Sequence, residues 1–319
     1  MNLQIITTFL IMALFALGGC ASLYAEKKAP PIGEFEAVDD ARIHLVDEGN
    51  KEAAGPALVL IHGASVNLRD MKIGLGDTLA QTHRVILVDR PGKGYSSRPD
   101  GAWMLDEQAK LIHDAVARLG VEKPIIVGQS FGGAVALSYA LQFQDDMSGL
   151  VLLAPVSHKW PGGVSWYNKV SGWPVAGFLL RRLVIPVYAP LAAKAGVNKS
   201  FAPNDPPPNY YEEAGIALLF RPGDFRSNAE DLRKLKPQII EMSKHYDEIK
   251  LPTLIMAGDQ DHTVSPQIHA QTLATEIPNA RLIMLPGVGH ALHHAETDLI
   301  VEEINAMADK VSGQTVAAP

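Results

Sequence analysis

A chain of 319 residues, 47% hydrophobic and 20% charged, is long enough to bury a sizeable core, as one large α/β domain or two smaller domains. Its formal net charge is −7 and no stretch resembles a basic stripe, which argues against nucleic acid as a partner. The only cysteine is Cys20, so an intrachain disulfide is excluded.

The N-terminal residues have the composition of an export signal. Ile5–Leu17 is a run of thirteen apolar or hydroxyl-bearing residues, which suits a secretory signal and is short for a helix that spans a bilayer. The next letters, LGGC, resemble the bacterial lipobox, which implies a lipid-modified Cys20 after removal of residues 1–19. No Lys or Arg precedes the apolar run, so an uncleaved N-terminal anchor is the alternative. Both interpretations predict an exported protein held at a membrane, on its periplasmic or cell-surface side, with residues 20–34 as a tether that does not pack.

Short apolar runs then alternate with amphipathic segments of helical length, which predicts an α/β fold with a mostly parallel sheet flanked by helices. Strands are predicted at 41–49, 56–63, 83–96, 123–130 and 147–155, and helices at 104–120 and around 133–142. The pattern resumes late in the chain, with strands at 251–261 and 280–290 and helices near 267–276 and 296–311.

Between about Val156 and Asp247 the alternation breaks, and prolines and aromatic residues cluster. The proline-rich stretch 201–213 is predicted to be irregular, because proline lacks a backbone donor. We therefore predict a core in two parts with an inserted, largely helical cap. The predicted division is core at 35–155, cap at 156–247, core again at 248–312 and a tail at 313–319.

A serine stands at the turn between a predicted strand and a predicted helix, in the letters VGQSFGG (127–133). Such a sharp turn needs very small neighbours two residues before and after the serine, and Gly128 and Gly132 meet that need. The start of the helix offers N–H groups to a developing negative charge. Ser130 is therefore predicted to be a nucleophile, and since G-x-S-x-G also occurs by chance, this prediction depends on partner residues elsewhere.

A serine nucleophile needs a base, and the base needs an acid to orient it. Asp261 follows a predicted strand in the loop GDQDHTVSP, and His290 follows the next strand in LPGVGH. Both lie past the carboxyl ends of strands, where the active sites of open α/β sheets collect, and the chain order Ser, Asp, His suits this fold. Asp259, in the same loop, is predicted to be a turn residue that binds backbone amides.

These landmarks together resemble the α/β-hydrolase superfamily, in its cap-bearing branch of esterases, cofactor-free haloperoxidases and carbon–carbon bond hydrolases. The matching segments are LIHGAS (60–65), VDRPGKGYS (88–96), VGQSFGG (127–133), MAGDQDHTVSP (256–266) and PGVGH (286–290). The resemblance implies that the backbone N–H groups of Ala64 and Phe131 form an oxyanion hole. It also supports Asp261 as the acid, and His62 is expected to brace its loop without taking part in the chemistry.

The implied activity is hydrolysis of a small-molecule carboxylic ester through an acyl-enzyme, with no cofactor or metal. Aromatic residues of the predicted cap favour a small to medium hydrophobic ester. These residues are Trp160, Trp166, Tyr167, Trp173, Phe178, Tyr210, Tyr211, Phe220 and Phe225. Perhydrolysis or haloperoxidation and carbon–carbon bond hydrolysis remain open on the same three residues, as does a non-catalytic ligand-binding relative. Epoxide and haloalkane hydrolysis are disfavoured, because those relatives carry Asp in place of the serine.

The letters HALHH (290–294) raise the question of a metal site. Adjacent histidines without carboxylates or cysteines at a known ligand spacing are a weak zinc signal, so no metal is expected. His293 and His294 are predicted to be exposed, or to support the site from a helix start.

Overall fold

The computed structural model describes residues 3–53 and 55–313. Its strands are β1 (Glu34–Val38), β2 (Ala41–Gly49), β3 (Leu58–Ile61), β4 (Arg84–Val88), β5 (Ile125–Gln129), β6 (Gly149–Leu153), β7 (Thr253–Gly258) and β8 (Ala280–Leu285). Within these residues they form one eight-stranded sheet in the order β1-β2-β4-β3-β5-β6-β7-β8. β2 runs antiparallel to β1 and β4, and every other neighbouring pair is parallel.

Thirteen α-helices accompany the sheet in the described part of the chain. They are α1 (Leu3–Lys28), α2 (Leu68–Met71), α3 (Asp77–Leu79), α4 (Leu105–Arg118), α5 (Phe131–Phe143), α6 (Trp166–Ser171), α7 (Pro174–Leu179), α8 (Ile185–Phe201), α9 (Tyr210–Glu213), α10 (Pro222–Met242), α11 (Ala270–Glu276), α12 (Leu292–Ala295) and α13 (Thr297–Val311). Short π-helical segments lie at Lys72–Gly76 and Leu180–Val184, and 3-10 segments at Gln144–Asp146, Ile216–Phe220 and Ser243–Glu248.

The central strands are buried because helices cover both faces of the sheet. β3 shows how: Val59 and Ile61 join an apolar cluster with α4, α5 and α11, whereas Leu58 and Leu60 join another with α2, α12 and α13. Alternate residues of a strand point to opposite faces, so a strand buried on both must be apolar throughout. The predicted mostly parallel sheet flanked by helices is confirmed. Its parallel strands end at one edge, where β3, β5, β7 and β8 lead into the loops described below.

Two differences from the predicted elements have local causes. β1 was not predicted, because its letters EFEAV carry two charged residues and only Val38 is buried, as befits an edge strand. The strand predicted within 83–96 occupies only the first part of this stretch and ends at Val88, because the expected Pro/Gly turn follows, with positive φ at Gly92 and Gly94.

Between β6 and β7 the chain leaves the sheet and forms α6 to α10, a set of helices over the carboxyl edge of the strands; we refer to residues 156–247 as the cap. The stretch 201–213 is irregular only in part, since α8 ends at Phe201 and α9 begins at Tyr210. The prolines between them explain the gap, and Tyr210–Glu213 is free of proline.

The prediction of an unpacked tether over residues 20–34 is wrong in this structure. α1 continues past Cys20 to Lys28, and the side chains of Ala25 and Ala29 are buried against Leu218 of the cap. Alanine is a strong helix former and small enough to pack closely, which explains why this segment has structure. Cys20 itself is exposed. Of the predicted tail, residues 314–319 lie outside the described residues.

One helix in the described part of the chain is long and apolar enough to cross a membrane by length and composition. It is Pro174–Phe201, which runs through α7, the π-helical segment and α8. Of its most apolar 18-residue stretch, 22% is buried. Length and composition alone do not distinguish a membrane span from a helix at a surface.

Candidate active site

Ser130 occupies a strained turn between β5 and α5. Its φ is 54° and its ψ −114°, a backbone conformation that is costly for a residue with a side chain. A Cβ on Gly128 would lie 2.4 Å from the Gly132 carbonyl oxygen, and one on Gly132 would lie 2.2 Å from the Ile61 carbonyl oxygen. The two glycines are therefore required for this turn to form, as the spacing of the letters predicts.

The structure brings Ser130, His290 and Asp261 together in one chain of hydrogen bonds. His290 Nε2 lies 2.9 Å from Ser130 Oγ, and His290 Nδ1 lies 2.7 Å from Asp261 Oδ2. The three residues follow β5, β8 and β7, so the shared edge of the parallel sheet brings loops that are distant in sequence into contact. The Asp261 side chain is fully buried and the His290 side chain 11% exposed, so water does not compete for the bond between them.

The loop after β7 separates the two candidate acids. Asp261 Oδ1 accepts hydrogen bonds from the N–H groups of Thr263 (2.7 Å) and Val264 (2.9 Å), which fixes the carboxylate while Oδ2 faces His290. Asp259 is exposed, and its Oδ1 accepts from the Gly287 N–H at 2.8 Å. Asp259 thus makes the backbone contact that its turn position predicts, and Asp261 lies against the histidine.

The loop after β3 lies directly against Ser130. A Cβ on Gly63 would be 3.3 Å from Ser130 Cβ, so the backbone that leads into Ala64 passes beside Ser130. Arg90 holds this loop: its guanidinium donates to the carbonyl oxygens of His62 (3.0 Å) and Gly63 (2.9 Å). Among the described residues, no hydrogen-bond acceptor is paired with the N–H groups of Ala64 or Phe131. Both amides are available to an added oxygen atom.

His62 braces the same loop, as expected. Its Nε2 accepts from the Arg90 N–H at 3.1 Å and its Nδ1 lies 2.8 Å from the Gly63 carbonyl oxygen, so the ring is a neutral imidazole with the proton on Nδ1. Complete burial, with the nearby Arg90 charge, lowers the pKa of His62 to about 3.

The buried neutral His62 predicts acid sensitivity. Its pKa is lower in the folded than in the unfolded chain, so the unfolded chain binds the proton first as the pH falls. The free energy of unfolding should therefore fall from about pH 6.5 towards pH 3, by at most about 1.4 kcal/mol per pH unit for this group. Urea unfolding at pH 7.5 and 5.5 measures the slope. His62→Asn should flatten the slope and exposed His245→Asn should not; equal slopes in both variants would contradict the assignment.

Cap helix α10 fixes the position of the loop through Asn228. The Ser65 N–H donates to Asn228 Oδ1 at 2.8 Å, and Asn228 Nδ2 donates to Ser65 Oγ at 3.0 Å. Ser65 has a φ of 65°, and this pair of bonds holds that conformation. Lys93 Nζ donates to the same Oδ1 at 3.1 Å, and burial lowers the pKa of Lys93 to about 7.

Asp231, one turn further along α10, anchors the cap with charge. Its carboxylate is fully buried and lies 3.2 Å from Arg90, 3.5 Å from Lys93 and 2.7 Å from Arg98. Removing one partner from such a buried group leaves an uncompensated charge, which is strongly destabilising. The arginine that holds the loop after β3 is therefore also bound to the cap.

We expect Asn228→Ala to lower kcat roughly tenfold or more with a smaller change in KM, because a misplaced loop weakens transition-state contacts first. Asn228→Asp, which keeps the acceptor for the Ser65 N–H, should recover part of the loss. Asn279→Ala is the matched control, because Asn279 precedes β8 at the opposite edge of the sheet and its side chain binds the Lys250 carbonyl oxygen. Equal kcat in the Asn228→Ala and Asn279→Ala proteins would refute this role.

His293 and His294 are not exposed, contrary to one of the two predictions for them. Their Nε2 atoms each lie 3.0 Å from a carboxylate oxygen of Asp70, which also accepts from the Tyr210 hydroxyl at 2.6 Å. The imidazoles fit closely over Gly74, where a Cβ would lie 2.7 Å from the His293 ring. This cluster joins α2, α12 and the cap three residues from His290.

The same cluster bears on the question of a metal. The ligand atoms of Asp70, His293 and His294 lie within 4.8 Å of one another. Each of these contacts is accounted for by a hydrogen bond to the carboxylate, whose negative charge the two rings and the tyrosine hydroxyl stabilise. These hydrogen bonds position the loop that carries His290.

Asn228, Asp231 and Asp70 were not predicted from the sequence to be parts of this site. A signal for the first two was present, because α10 has a stripe of buried residues at helical spacing that includes Asn228 and Asp231. Polar residues on the buried stripe of an amphipathic helix indicate specific partners. The residues of that stripe are Phe225, Asn228, Asp231, Leu235 and Ile239.

The aromatic residues of the cap differ in how far they are buried. Tyr210 and Phe225 are buried, and Phe201 packs with Tyr210, Ile216 and Ala291 beside His290. Trp160, Tyr211 and Phe220 are partly buried, and four others are exposed. These are Trp166, Tyr167, Trp173 and Phe178.

The sheet order, the serine turn after β5 and the acid and histidine loops after β7 and β8 define a hydrolase of the α/β type. The model of the alpha/beta hydrolase family matches residues 58–303, and the chain belongs to this family.

Relatives and solved structures agree with this placement. The chain is 31% identical over 307 residues to 2-hydroxymuconate semialdehyde hydrolase of Pseudomonas putida, covering 89% of this chain and 98% of the relative. An esterase from Exiguobacterium antarcticum has a similar fold, with a TM-score of 0.70 and 22% identity, covering 87% of this chain and 100% of the esterase. The enol-lactonase of Burkholderia xenovorans LB400 gives a TM-score of 0.68 with 19% identity, covering 86% of this chain and 99% of the lactonase.

Proposed function

We propose that this chain is a serine hydrolase that cleaves carboxylic esters through an acyl-enzyme. The observation that carries the proposal is the hydrogen-bonded series Ser130, His290 and Asp261, with two backbone amides available beside it. A serine hydroxyl reacts with an ester carbonyl when a base removes its proton and donors stabilise the oxyanion.

Two hydrogen bonds, from His290 to Ser130 and to Asp261, support the proposed mechanism. His290 Nε2 accepts the Ser130 proton as Oγ attacks the carbonyl carbon, and the N–H groups of Ala64 and Phe131 donate to the oxyanion. Asp261 orients the ring and stabilises its charged form. His290 then returns the proton to the leaving alcohol, and a water activated by the same nitrogen releases the acid.

An apolar acyl or alkyl group suits the surroundings of the serine. Ala291, next to His290, packs in an apolar cluster with Phe201 and Ile216 of the cap, and Val66 of the loop after β3 lies against it. We therefore propose small to medium hydrophobic esters as substrates. Only part of the cap's aromatic set supports this preference, since the other part is exposed on the outer surface.

A panel of p-nitrophenyl esters of increasing acyl length tests the assignment. Wild type should show an optimum at short to medium length, and a Ser130→Ala protein should show none. Folded wild-type protein without activity on any member of the panel would refute ester hydrolysis.

Carbon–carbon bond hydrolysis is a second candidate on the same residues. It is favoured by one observation, the 31% identity over 98% of the length of 2-hydroxymuconate semialdehyde hydrolase. The discriminating substrate is 2-hydroxymuconate semialdehyde itself, followed by loss of its absorbance. Turnover of this compound at a higher kcat/KM than the best ester would replace the ester assignment.

We also propose that the protein is an exported, membrane-anchored lipoprotein. The letters LGGC and the exposed position of Cys20 support this proposal. Mass spectrometry of the mature N-terminus should detect diacylated or triacylated Cys20 followed by Ala21. An intact Met1 would instead indicate an uncleaved anchor.

A further inference from the structure

The outer side of the cap presents large apolar side chains to the surroundings. Val187, Tyr188 and Leu191 of α8 lie three, four and seven residues after Val184, the last residue of the π-helical segment, so the four share one side of the continuous helix. We call the following exposed set the cap apolar face. It consists of Trp166 (65% exposed), Trp173 (59%), Val175 (72%), Val184 (45%), Val187 (47%), Tyr188 (64%) and Leu191 (80%). The helices that carry these side chains pack on one another, α6 on α7 and the π-helical segment on α8, and a group of exposed apolar side chains on neighbouring helices marks an interaction site.

Residues 157–203 carry a positive net charge, whereas the whole chain carries a negative one. Residues 157–203 contain six Lys or Arg and no Asp or Glu, in a chain whose net charge is −7. The chain as a whole has no basic stripe, but within residues 157–203 the basic residues have no acidic neighbours in the sequence. Apolar side chains flanked by lysine and arginine are the composition of helices that lie in the headgroup region of anionic bilayers.

The N-terminal helix continues the same surface. The rings of Phe15 and Phe178 lie 5.6 Å apart, and the Arg182 guanidinium lies 5.7 Å from the first ring and 5.5 Å from the second. Gly18 approaches the Arg182 carbonyl so closely that a Cβ would lie 2.7 Å from its oxygen. Residues 1–19, where they are retained as an anchor, or acyl chains on Cys20, where those residues are removed, would therefore enter a bilayer beside α8.

We infer that the cap apolar face docks on the surface of a membrane that contains anionic lipid, with α8 in the plane of the headgroups. Tryptophan and tyrosine favour this depth, because each combines an apolar ring with a polar group. The inference does not depend on which bond the enzyme hydrolyses.

The packing of the helix Pro174–Phe201 favours a position at the membrane surface over a span across the bilayer. Its first part follows α6, where the Asn168 carbonyl oxygen accepts from Arg233 of α10 at 2.5 Å. Its last residue, Phe201, packs on Tyr210 and on the ring of His294. Both ends are thus packed on the same folded body, and a bilayer cannot separate them.

Tryptophan fluorescence of the full chain on vesicles tests the inference. Because α1 is itself apolar, binding of the whole chain does not report on the cap, whereas Trp166 and Trp173 do. Lipids brominated on their acyl chains should quench roughly one-third or more of the emission on anionic vesicles, since two of the four tryptophans lie on this face. Trp166→Phe with Trp173→Phe should abolish the quenching; both side chains are exposed, so the fold should be unaffected.

Charge variants separate lipid docking from other occupants. Lys194→Glu with Lys199→Glu should lose most of the quenching, because each basic residue near an anionic surface strengthens binding about fivefold. Lys244→Glu with Lys310→Glu makes the same change in net charge on exposed residues outside the cap apolar face. This variant should keep the quenching of wild type. Wild-type quenching that is absent, or that persists in the double Phe variant, overturns the inference. A wild-type dimer without quenching, found by sedimentation, would show instead that a second copy covers the face.

Discussion

Ser130→Ala should remove nearly all hydrolytic activity, by about 10³-fold or more, while the protein stays folded. Among the described residues, the hydroxyl within hydrogen-bonding distance of His290 Nε2 is that of Ser130, so no second hydroxyl is in place to act instead. The substitution removes one oxygen atom and leaves the strained turn, which the flanking glycines permit. Ester hydrolysis and thermal unfolding of the same preparation measure activity and stability together.

Ser138→Ala is the matched control for this experiment. Ser138 is buried in the same helix α5, and its hydroxyl donates to Asp106 at 2.7 Å, away from His290. The Ser138→Ala protein should be less stable than wild type and keep the wild-type kcat. His290→Ala should reach the same low activity as Ser130→Ala, and the double variant should be no worse, because nucleophile and base act as a unit. A folded Ser130→Ala protein with wild-type turnover would refute the nucleophile assignment for any substrate class.

The core of this fold was predictable because its strands are buried on both faces. β3 and β5 are short apolar runs bounded by turn residues, and β2 matches its predicted bounds of 41–49. Strand β1 and helix α1 past Cys20 were not predicted, since partly exposed or alanine-rich segments acquire their structure from a surface contributed by distant residues.

The candidate site likewise contains residues that the sequence predicts and contacts that it does not. Ser130, Asp261 and His290 each follow a recognisable strand, and parallel strands bring their carboxyl ends together without further information. The contact between Ser65 and Asn228 joins residues 163 positions apart, and no local pattern specifies it. Asp70 approaches His294 from 224 positions away, and for that reason two histidines that look surface-exposed in the sequence are held in the interior.

Asp261→Asn should lower kcat by about 10³- to 10⁴-fold with a modest change in KM, which is the second large effect. Asp259→Asn, two residues earlier, should keep activity within about threefold, because Asp259 is exposed and an asparagine oxygen can still accept from the Gly287 N–H. Steady-state kinetics of the two variants on the same ester measure the difference. The reverse order of loss would show that Asp259 is the acid.

The reason for the large effect lies in the two oxygens of the Asp261 carboxylate. Oδ1 accepts from two backbone N–H groups, at 2.7 and 2.9 Å, so an asparagine must place its own oxygen there. Its NH₂ group then faces His290 Nδ1, which must become an acceptor and lose its proton. The ring is forced into the tautomer with the proton on Nε2, the nitrogen 2.9 Å from Ser130 Oγ. A nitrogen that already carries a proton cannot take one from the serine, so the fold is kept while the base is disabled.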